Sequence, residues 1–388
     1  MARASLLKHK HSTDNKHHPK HIDNMMQSRT EGVAYQPTPI SGRESKAMRG
    51  VAILCIMLHN FLHLMLPTVE NEFSYCNLRT DTFINSLATQ PAWAWADILS
   101  FLGWYGVAVF IFLSGYGLVR KYESGDEQKL PLWGFVKDRW LKLVKLMLIP
   151  MLLFAVVWSC FKGSIFPIEK LLQQLALVGN VAFPNRIQPG IYWFFGLIFQ
   201  LYILYRLCIY RRSNSFIINI NTLALAIFTA MWLFCDDATM AAMRHNCIGW
   251  ILPFSIGAMF ARYDFSALFA RKWVMWLLII LSGALLTLLN YNPALWYFSP
   301  IIAIIAAISL AKLWQGGVWL GSLSSFLFVM HPIVRYIALQ DEVKSLFGIS
   351  SETPYSVKII PLLALYVALS LVAAILYKRL HSRLFDHK

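Results

Sequence analysis

One apolar stretch, from Lys46 to Pro67, limits most strongly what this chain can fold into. It holds about twenty mostly apolar residues, the length that an α-helix needs to cross the roughly 30 Å hydrocarbon core of a bilayer. Three ionisable side chains interrupt it, Arg49, His59 and His63. Such groups are costly to keep inside a membrane, so they are candidates for function. Along a helix, Arg49 and His59 would lie roughly 15 Å apart, one near a membrane face and the other near the midplane.

The composition extends this interpretation to the whole chain. Hydrophobic residues make up 57% of the 388 positions and charged residues only 14%, whereas soluble proteins average roughly 45–50% apolar residues. We therefore predict an all-α membrane protein with about ten transmembrane helices. The further predicted spans are approximately 97–118, 143–161, 191–210, 216–235, 247–262, 273–290, 295–313, 318–339 and 359–377.

The two ends of the chain differ from the part between them. Residues 1–45 are polar, basic and rich in histidine, which predicts a disordered tail. The histidine spacing fits no closed metal site, and the six cysteines show no ligand spacing either, so we predict no bound metal. Residues 46–380 form the predicted membrane domain, and residues 381–388 a second short basic tail.

Charge predicts the orientation. With ten spans both termini lie on one side, and most of the 35 lysine and arginine residues fall on that same side. Positive charge is retained on the cytoplasmic face. We therefore predict cytoplasmic termini, a multi-pass location in the bacterial cytoplasmic (inner) membrane, and contact with membrane lipid. Topology alone accounts for the net charge of +15, so we predict no nucleic-acid partner.

The ninth predicted span carries another histidine, His331. It lies about 20 Å from the inner end of its helix, and His59 about 18 Å from the inner end of the first. Both histidines are thus predicted at one level of the membrane. Either can be functional, or can hold helices together through an interhelical hydrogen bond. Gly317 and Gly321 form a small-xxx-small pair, which is typical of close helix packing.

A basic region is predicted at the inner membrane face, between the second and third spans. Two interpretations remain open, a phosphate-binding mouth for a nucleotide-bearing substrate and attraction to anionic lipid. Six residues are assigned to this phosphate-binding mouth in addition to Arg49: Ser114, Gly115 and Tyr116 at the end of the second span, and Arg120, Arg139 and Lys142 after it. At the opposite face, six tryptophans fit an aromatic belt or a sugar-stacking surface: Trp93, Trp95, Trp104, Trp193, Trp250 and Trp296.

Three segments together resemble the acyltransferase-3 family of polytopic membrane proteins: R-G-V-A-I-L-C-I-M-L-H at 49–59, F-I-F-L-S-G-Y at 110–116 and F-V-K-D-R-W-L-K-L-V-K-L-M-L-I-P at 135–150. Weaker matches follow at 191–202 and 326–332. The resemblance implies an O-acyltransferase with about ten helices and no bound cofactor. Its donor would be cytoplasmic acyl-CoA, with acetyl-CoA the expected form. Its acceptor would be a hydroxyl of a cell-envelope carbohydrate or a related molecule.

The resemblance and the chemistry together suggest roles for the membrane residues. His59 is expected to act as a base or a transient acyl carrier, Arg49 to hold the donor, and His331 to orient His59 or touch the acceptor. The family usually has ten residues between this arginine and histidine, whereas nine separate Arg49 from His59. His63 shares a helix face with His59 and is therefore kept as a substitute or an assistant. Lys142 stands where the family often has arginine, which keeps the charge but loses the bidentate fork.

Two other classes of function remain as alternatives. A transporter or flippase of an envelope glycan precursor would also have about ten spans, although ion-coupled transporters typically keep acidic residues inside the membrane. None lies well inside the predicted spans. A sensor that binds acyl-CoA without transferring the acyl group is the third class. The sequence does not specify an oligomeric state.

Overall fold

The computed structural model describes residues 40–123, 130–182, 187–349 and 354–385. Within these ranges the regular secondary structure is entirely helical. Most of the predicted 1–45 tail and the last three residues lie outside the described residues. The helices are α1 Gly42–Leu62, α2 Asn77–Thr89, α3 Ala94–Leu102, α4 Gly106–Tyr122, α5 Leu132–Lys162, α6 Ile168–Leu175, α7 Gly179–Ala182, α8 Trp193–Leu204, α9 Asn214–Phe234, α10 Asp237–Arg244, α11 Ile251–Phe260, α12 Lys272–Leu289, α13 Pro293–Trp296, α14 Ser299–Leu313, α15 Val318–Ala338, α16 Asp341–Leu346 and α17 Ile359–Phe385.

Every predicted span coincides with one of these helices, but not all of them are long and apolar enough to cross a membrane. Seven described segments are: Pro91–Tyr122, Leu132–Lys162, Gly190–Ile209, Asn214–Phe234, Lys272–Leu289, Val318–Ala338 and Ile359–Phe385. Helices α11 and α14 are too short, and the polar side chains of α1 make it less apolar than those seven. The all-helical membrane architecture is therefore confirmed, whereas the count of ten and the orientation stay predictions.

The outer surfaces of the long helices are apolar. On α9, Leu223 and Phe234 are 61% and 85% exposed, and on α12 Ile280 is 68% exposed. A soluble protein rarely presents such extended apolar faces to water. These surfaces fit hydrocarbon, which agrees with a multi-pass membrane protein.

Helix α1 begins at a capping box. The Ser41 hydroxyl accepts a hydrogen bond from the Glu44 backbone N–H, and the Glu44 carboxylate accepts one from the Ser41 N–H. This pair satisfies two N–H groups that a helix start otherwise leaves free. The helix therefore begins four residues before the predicted boundary at Lys46.

Helix α1 lies in the interior and touches α15 backbone to backbone. A Cβ atom added to Gly50 would collide with the carbonyl oxygen of Gly317, and one added to Gly321 would collide with that of Lys46. The predicted packing role of the Gly317–Gly321 pair is thus confirmed. This close contact fixes the depth of α1 against α15.

The segment that follows α1, residues 63–76, folds back over the end of that helix. Its Asn71 side chain donates hydrogen bonds to Thr80 and Asn290. The Thr68 hydroxyl donates to Asp97, and Arg79 donates to the backbone carbonyl of Glu70. These bonds hold the segment as a cap over the His59 end of α1.

Candidate active site

A cavity of about 280 Å³ lies at the His59 end of α1. Residues from α1, from the 63–76 cap, from the start of α8 and from α15 surround it. Its polar lining residues are His59, Asn60, His63, Glu70, Glu72, His245 and Arg335. Its aromatic lining residues are Phe73, Trp104, Trp193, Phe194 and Phe328.

His59 is buried at the wall of this cavity. Its Nδ1 atom lies 2.8 Å from the backbone carbonyl oxygen of Ser100. Because a carbonyl only accepts hydrogen bonds, Nδ1 must carry the hydrogen, which leaves the lone pair on Nε2. Gly103 packs directly against the same residue, since an added Cβ would lie 2.7 Å from the Cβ of His59. These contacts fix both the ring orientation and the tautomer.

His63 lies one turn further along α1 and stacks on His59. The ring centroids are 4.7 Å apart and the planes differ by 19°. The His63 Nδ1 atom lies 2.8 Å from the His59 backbone carbonyl oxygen, so it too carries the hydrogen. The two stacked imidazoles therefore each keep an Nε2 lone pair that can accept a proton.

Glu70 completes a cluster with these histidines, and sequence reasoning missed it. One ligating atom from each of His59, His63 and Glu70 lies within 4.8 Å of the other two. Burial acts to raise the pKa of Glu70, but attraction to the two imidazoles and to Arg79 outweighs it and holds the pKa below its usual range. Glu70 is therefore a carboxylate at neutral pH. It lies on an irregular segment, where no hydrophobic period predicts which side chain turns inward.

Two histidines and a carboxylate are also a donor set that zinc accepts. A metal ion lies in the plane of each imidazole that binds it, and the planes of His59 and His63 are nearly parallel. Two stacked planes at this angle do not meet close to both rings, so one ion cannot lie in both planes at a bonding distance. As they stand, His59, His63 and Glu70 do not form a metal site without rotation of a ring.

One part of the cavity wall carries two further titratable residues, Glu72 and His245. Burial and repulsion from Glu70 raise the pKa of Glu72 well above its usual range, which favours the protonated carboxyl. Burial also lowers the pKa of His245 to about 4, so its ring is neutral. Phe73 stacks on that ring with centroids 4.0 Å apart. The wall thus combines hydrogen-bonding groups with aromatic faces.

His331 does not line the cavity. It is fully buried, and its Nδ1 atom lies 2.9 Å from the hydroxyl of Tyr366, which donates to the backbone carbonyl of Met57. His331 therefore connects α15 to α17 and, through Tyr366, to α1 just before His59. This contact matches the interhelical hydrogen bond considered above more closely than contact with an acceptor.

Arg335, one turn after His331, is the charged residue of α15 that lines the cavity. Its Nη1 atom donates to the backbone carbonyl and to the side-chain oxygen of Asn60, at 3.1 and 2.6 Å. Sequence reasoning gave Arg335 no role. Its position four residues after His331, on the same helix face, is a signal that would have found it.

At the other end of α1, three of the predicted donor-binding residues gather around Tyr202. Arg49 interacts electrostatically with its phenol, and Ser114 is hydrogen-bonded to it. The guanidinium of Arg139 lies 5.2 Å from the Tyr202 ring centroid and donates to the hydroxyl of Tyr122. The Arg139 Nε atom is buried and has no hydrogen-bond partner among the described residues. Tyr202 is thus an organising residue that sequence reasoning missed.

The other predicted donor-binding residues lie elsewhere. The Tyr116 hydroxyl donates to the carbonyl of Ile40 and so holds the start of α1. Gly115 packs against α11, because an added Cβ would collide with the Phe254 carbonyl oxygen. Lys142 is exposed and Arg120 half-buried. The structure does not place these four with the Tyr202 group, and their donor-binding roles stay predictions.

A family model described as an acyltransferase domain, that of the acyltransferase-3 family, matches residues 44–379. This range includes both ends of α1, the cavity and the Tyr202 group. Neither the comparison with curated proteins nor that with solved structures gave a match.

Proposed function

Because this chain belongs to the acyltransferase-3 family, we propose that it moves an acetyl group from acetyl-CoA to a hydroxyl of a cell-envelope carbohydrate, in the bacterial cytoplasmic membrane. Membership of the family supports acyl transfer in a membrane. The donor, the group transferred and the acceptor are our proposal. One observation carries it: the stacked pair of His59 and His63 faces a cavity at the opposite end of α1 from Arg49.

The lining of the cavity supports a carbohydrate acceptor. Aromatic faces such as those of Trp104 and Trp193 suit the apolar face of a sugar ring. Asn60, the carboxyl of Glu72 and the neutral ring of His245 offer hydrogen-bonding groups for its hydroxyls. Such groups can replace the water that the sugar hydroxyls lose on binding.

The Tyr202 group supports a donor with phosphates. Arginine is well suited to phosphate because its planar guanidinium donates two parallel hydrogen bonds. Arg49 on α1 and Arg139 on α5 both interact with Tyr202. The Nε atom of Arg139 has no hydrogen-bond partner among the described residues. We propose that they bind the phosphates of acyl-CoA on the cytoplasmic side.

The reaction then follows from the tautomer of His59. With hydrogen on Nδ1, the Nε2 atom takes the proton of the acceptor hydroxyl as its oxygen attacks the thioester carbonyl. The C–S bond breaks, and the CoA thiolate receives the proton from the imidazolium. In the covalent variant, Nε2 itself attacks the thioester, the C–S bond breaks and CoA leaves as the thiolate. The acceptor hydroxyl then attacks the acetyl group, the bond from Nε2 to the acetyl group breaks, and the hydroxyl proton passes to the thiolate. His63 is adjacent to either step.

One observation favours the alternative of a transporter or flippase. Buried acidic residues are a feature of ion-coupled transporters, and Glu70 and Glu72 supply two of them beside the cavity. A transporter would move an envelope glycan precursor without consuming acetyl-CoA.

Labelled acetyl transfer from acetyl-CoA to a panel of sugars, measured with purified protein in lipid nanodiscs, tests the proposal. We expect transfer by the wild type and a loss of about 10²–10⁴-fold or more in His59→Ala, because the proton acceptor is removed. The matched variant His63→Ala should lose less activity.

Loss of activity in His63→Ala with an active His59→Ala would exchange the two roles. Movement of a glycan precursor without any acetyl transfer would favour the transporter.

A further inference from the structure

We propose that Glu70 is a positioning residue for the His59–His63 pair, and that its carboxylate stabilises the imidazolium formed when His59 takes the acceptor proton. This inference rests on the proposed function, because it assigns Glu70 to the same proton transfer. Glu70 lies outside the three segments that carry the family resemblance.

The first support is distance. One ligating atom from each of His59, His63 and Glu70 lies within 4.8 Å of the other two, although Glu70 belongs to a different segment of the chain. At such a separation an opposite charge strongly favours the protonated form of an imidazole. The stacked rings allow the carboxylate to act on both histidines.

The second support is an unsatisfied atom. The Oε2 atom of Glu70 is buried and accepts no hydrogen bond from the described residues. A buried carboxylate oxygen without a partner is costly in the resting protein. A proton on the nearby Nε2 of either histidine would give it a charged partner, so the site gains electrostatic stabilisation when the imidazolium forms.

The third support is how Glu70 is held. Arg79 donates hydrogen bonds to the backbone carbonyls of Glu70 and Ser74. The next residue, Asn71, donates a hydrogen bond from its side chain to Thr80 on α2. These bonds fix the backbone of the cap and leave the carboxylate free. The residue is therefore positioned by its segment and remains available to the imidazoles.

The charges around Glu70 are consistent with this role. Its titratable and charged neighbours are His59 and His63 on α1, Arg79 on α2, Arg335 on α15, and Glu72 and His245 across the cavity. Burial raises the pKa of Glu72 and lowers that of His245 to about 4, which favours the uncharged form of both. Arg335 opposes an imidazolium, so the carboxylate of Glu70 is needed to offset it.

The proton balance leaves Glu70 unchanged. The proton passes from the acceptor hydroxyl to Nε2 of His59 and then to the sulfur of CoA, while Glu70 stays ionised throughout. The sugar oxygen gains the acetyl group, and CoA leaves as the thiol. Glu70 acts through charge and does not touch the reacting atoms.

The test compares Glu70→Gln with Glu72→Gln, a matched change on the same segment. In Glu70→Gln we expect kcat to fall about tenfold or more and the acidic limb of the kcat/KM profile to move about one pH unit or more downwards, because the charge that favours protonation is lost. The KM for acetyl-CoA should not change. Glu72→Gln should change the KM for the acceptor and leave the acidic limb in place. Glu70→Asp, which keeps the charge, should restore the position of the acidic limb of the kcat/KM profile and part of kcat.

Thermal unfolding of each variant checks that it is folded; if Glu70→Gln does not fold, the pH profile of Glu70→Ala, which also removes the charge, decides. If Glu70→Gln keeps the wild-type kcat and the wild-type acidic limb while His59→Ala is inactive, this inference is overturned and the proposed function stays intact. Full transfer by both His59→Ala and His63→Ala would overturn the proposed function itself. Loss of wild-type activity on chelation and its return with Zn²⁺ would make the cluster a metal site and also overturn the inference.

Discussion

At the residue scale, the reactivity proposed for His59 depends on two backbone contacts that fix one ring. The carbonyl of Ser100 binds Nδ1, and Gly103 brings that backbone against the Cβ of His59. An imidazole that is free to rotate would present either nitrogen. The close approach of Gly103 therefore has a function in addition to packing.

Gly103→Ala should reduce acetyl transfer and lower the midpoint of thermal unfolding. The new Cβ would lie 2.7 Å from the Cβ of His59 and 2.8 Å from the carbonyl oxygen of Cys55, and neither atom can rotate away. Overpacking of this kind costs about 1–3 kcal/mol. Transfer assays and thermal unfolding of the same preparation measure both effects.

Gly117→Ala, on α4, is the matched control, because an added Cβ there meets no atom within 4 Å. Alanine is favoured over glycine inside a helix by roughly 0.5–1 kcal/mol, so this variant should be as stable as the wild type or slightly more stable. Equal behaviour of the two alanine variants would show that Gly103 does not hold His59.

At the element scale, α5 places Arg139 and Lys142 in different surroundings, although the sequence analysis gave both the same role. Arg139 and Lys142 are three positions apart and were both predicted to bind the donor. Arg139 lies among the rings of Tyr122, Phe135 and Tyr202, whereas Lys142 is exposed. Within one turn, this helix therefore holds one charge among aromatic rings and one charge at the surface.

Arg139→Ala should weaken the binding of acetyl-CoA by about 10- to 100-fold, because a charge-assisted hydrogen bond contributes about 1.5–3 kcal/mol. Lys142→Ala should have a much smaller effect, since exposed charges are screened by solvent and salt. Calorimetric titration with CoA at two salt concentrations measures both. Equal losses that vanish at high salt would indicate general attraction to the basic face.

At the scale of the whole molecule, the charge distribution carries the prediction of orientation. Most lysine and arginine residues fall on the side that holds both termini in a ten-span arrangement. The seven spans that the described helices support do not by themselves fix this side. The proposed entry of the donor at the Arg49 end depends on it.

A reporter fused after Lys388 should therefore be active only in the cytoplasmic compartment, because the positive-inside rule retains the basic side there. Paired fusions of a cytoplasm-active and a periplasm-active reporter make the measurement. Activity of the periplasmic fusion alone would reverse the orientation and the assignment of donor and acceptor sides.

The sequence by itself determined the helices and which residues share a helix face. Helix formation and transfer into lipid depend on hydrogen bonds and apolar surface within one segment, so every predicted span coincides with a helix. The four-residue spacing of His59 and His63 predicted a shared helix face for the same local reason, and the structure stacks their rings. The capping box at Ser41 is also readable in the sequence, although the predicted start at Lys46 did not use it.

Only the tertiary structure decided which side chains meet between segments. Glu70 turns toward His59 because the 63–76 cap is tied to α2 and Asn290, and no periodicity describes that path. Arg335 reaches Asn60 from 275 positions away. Such contacts depend on how distant helices pack, and the sequence around a side chain does not indicate which distant residue it will contact. The sequence thus determined the membrane helices and the candidate histidines, and packing decided their electrostatic surroundings.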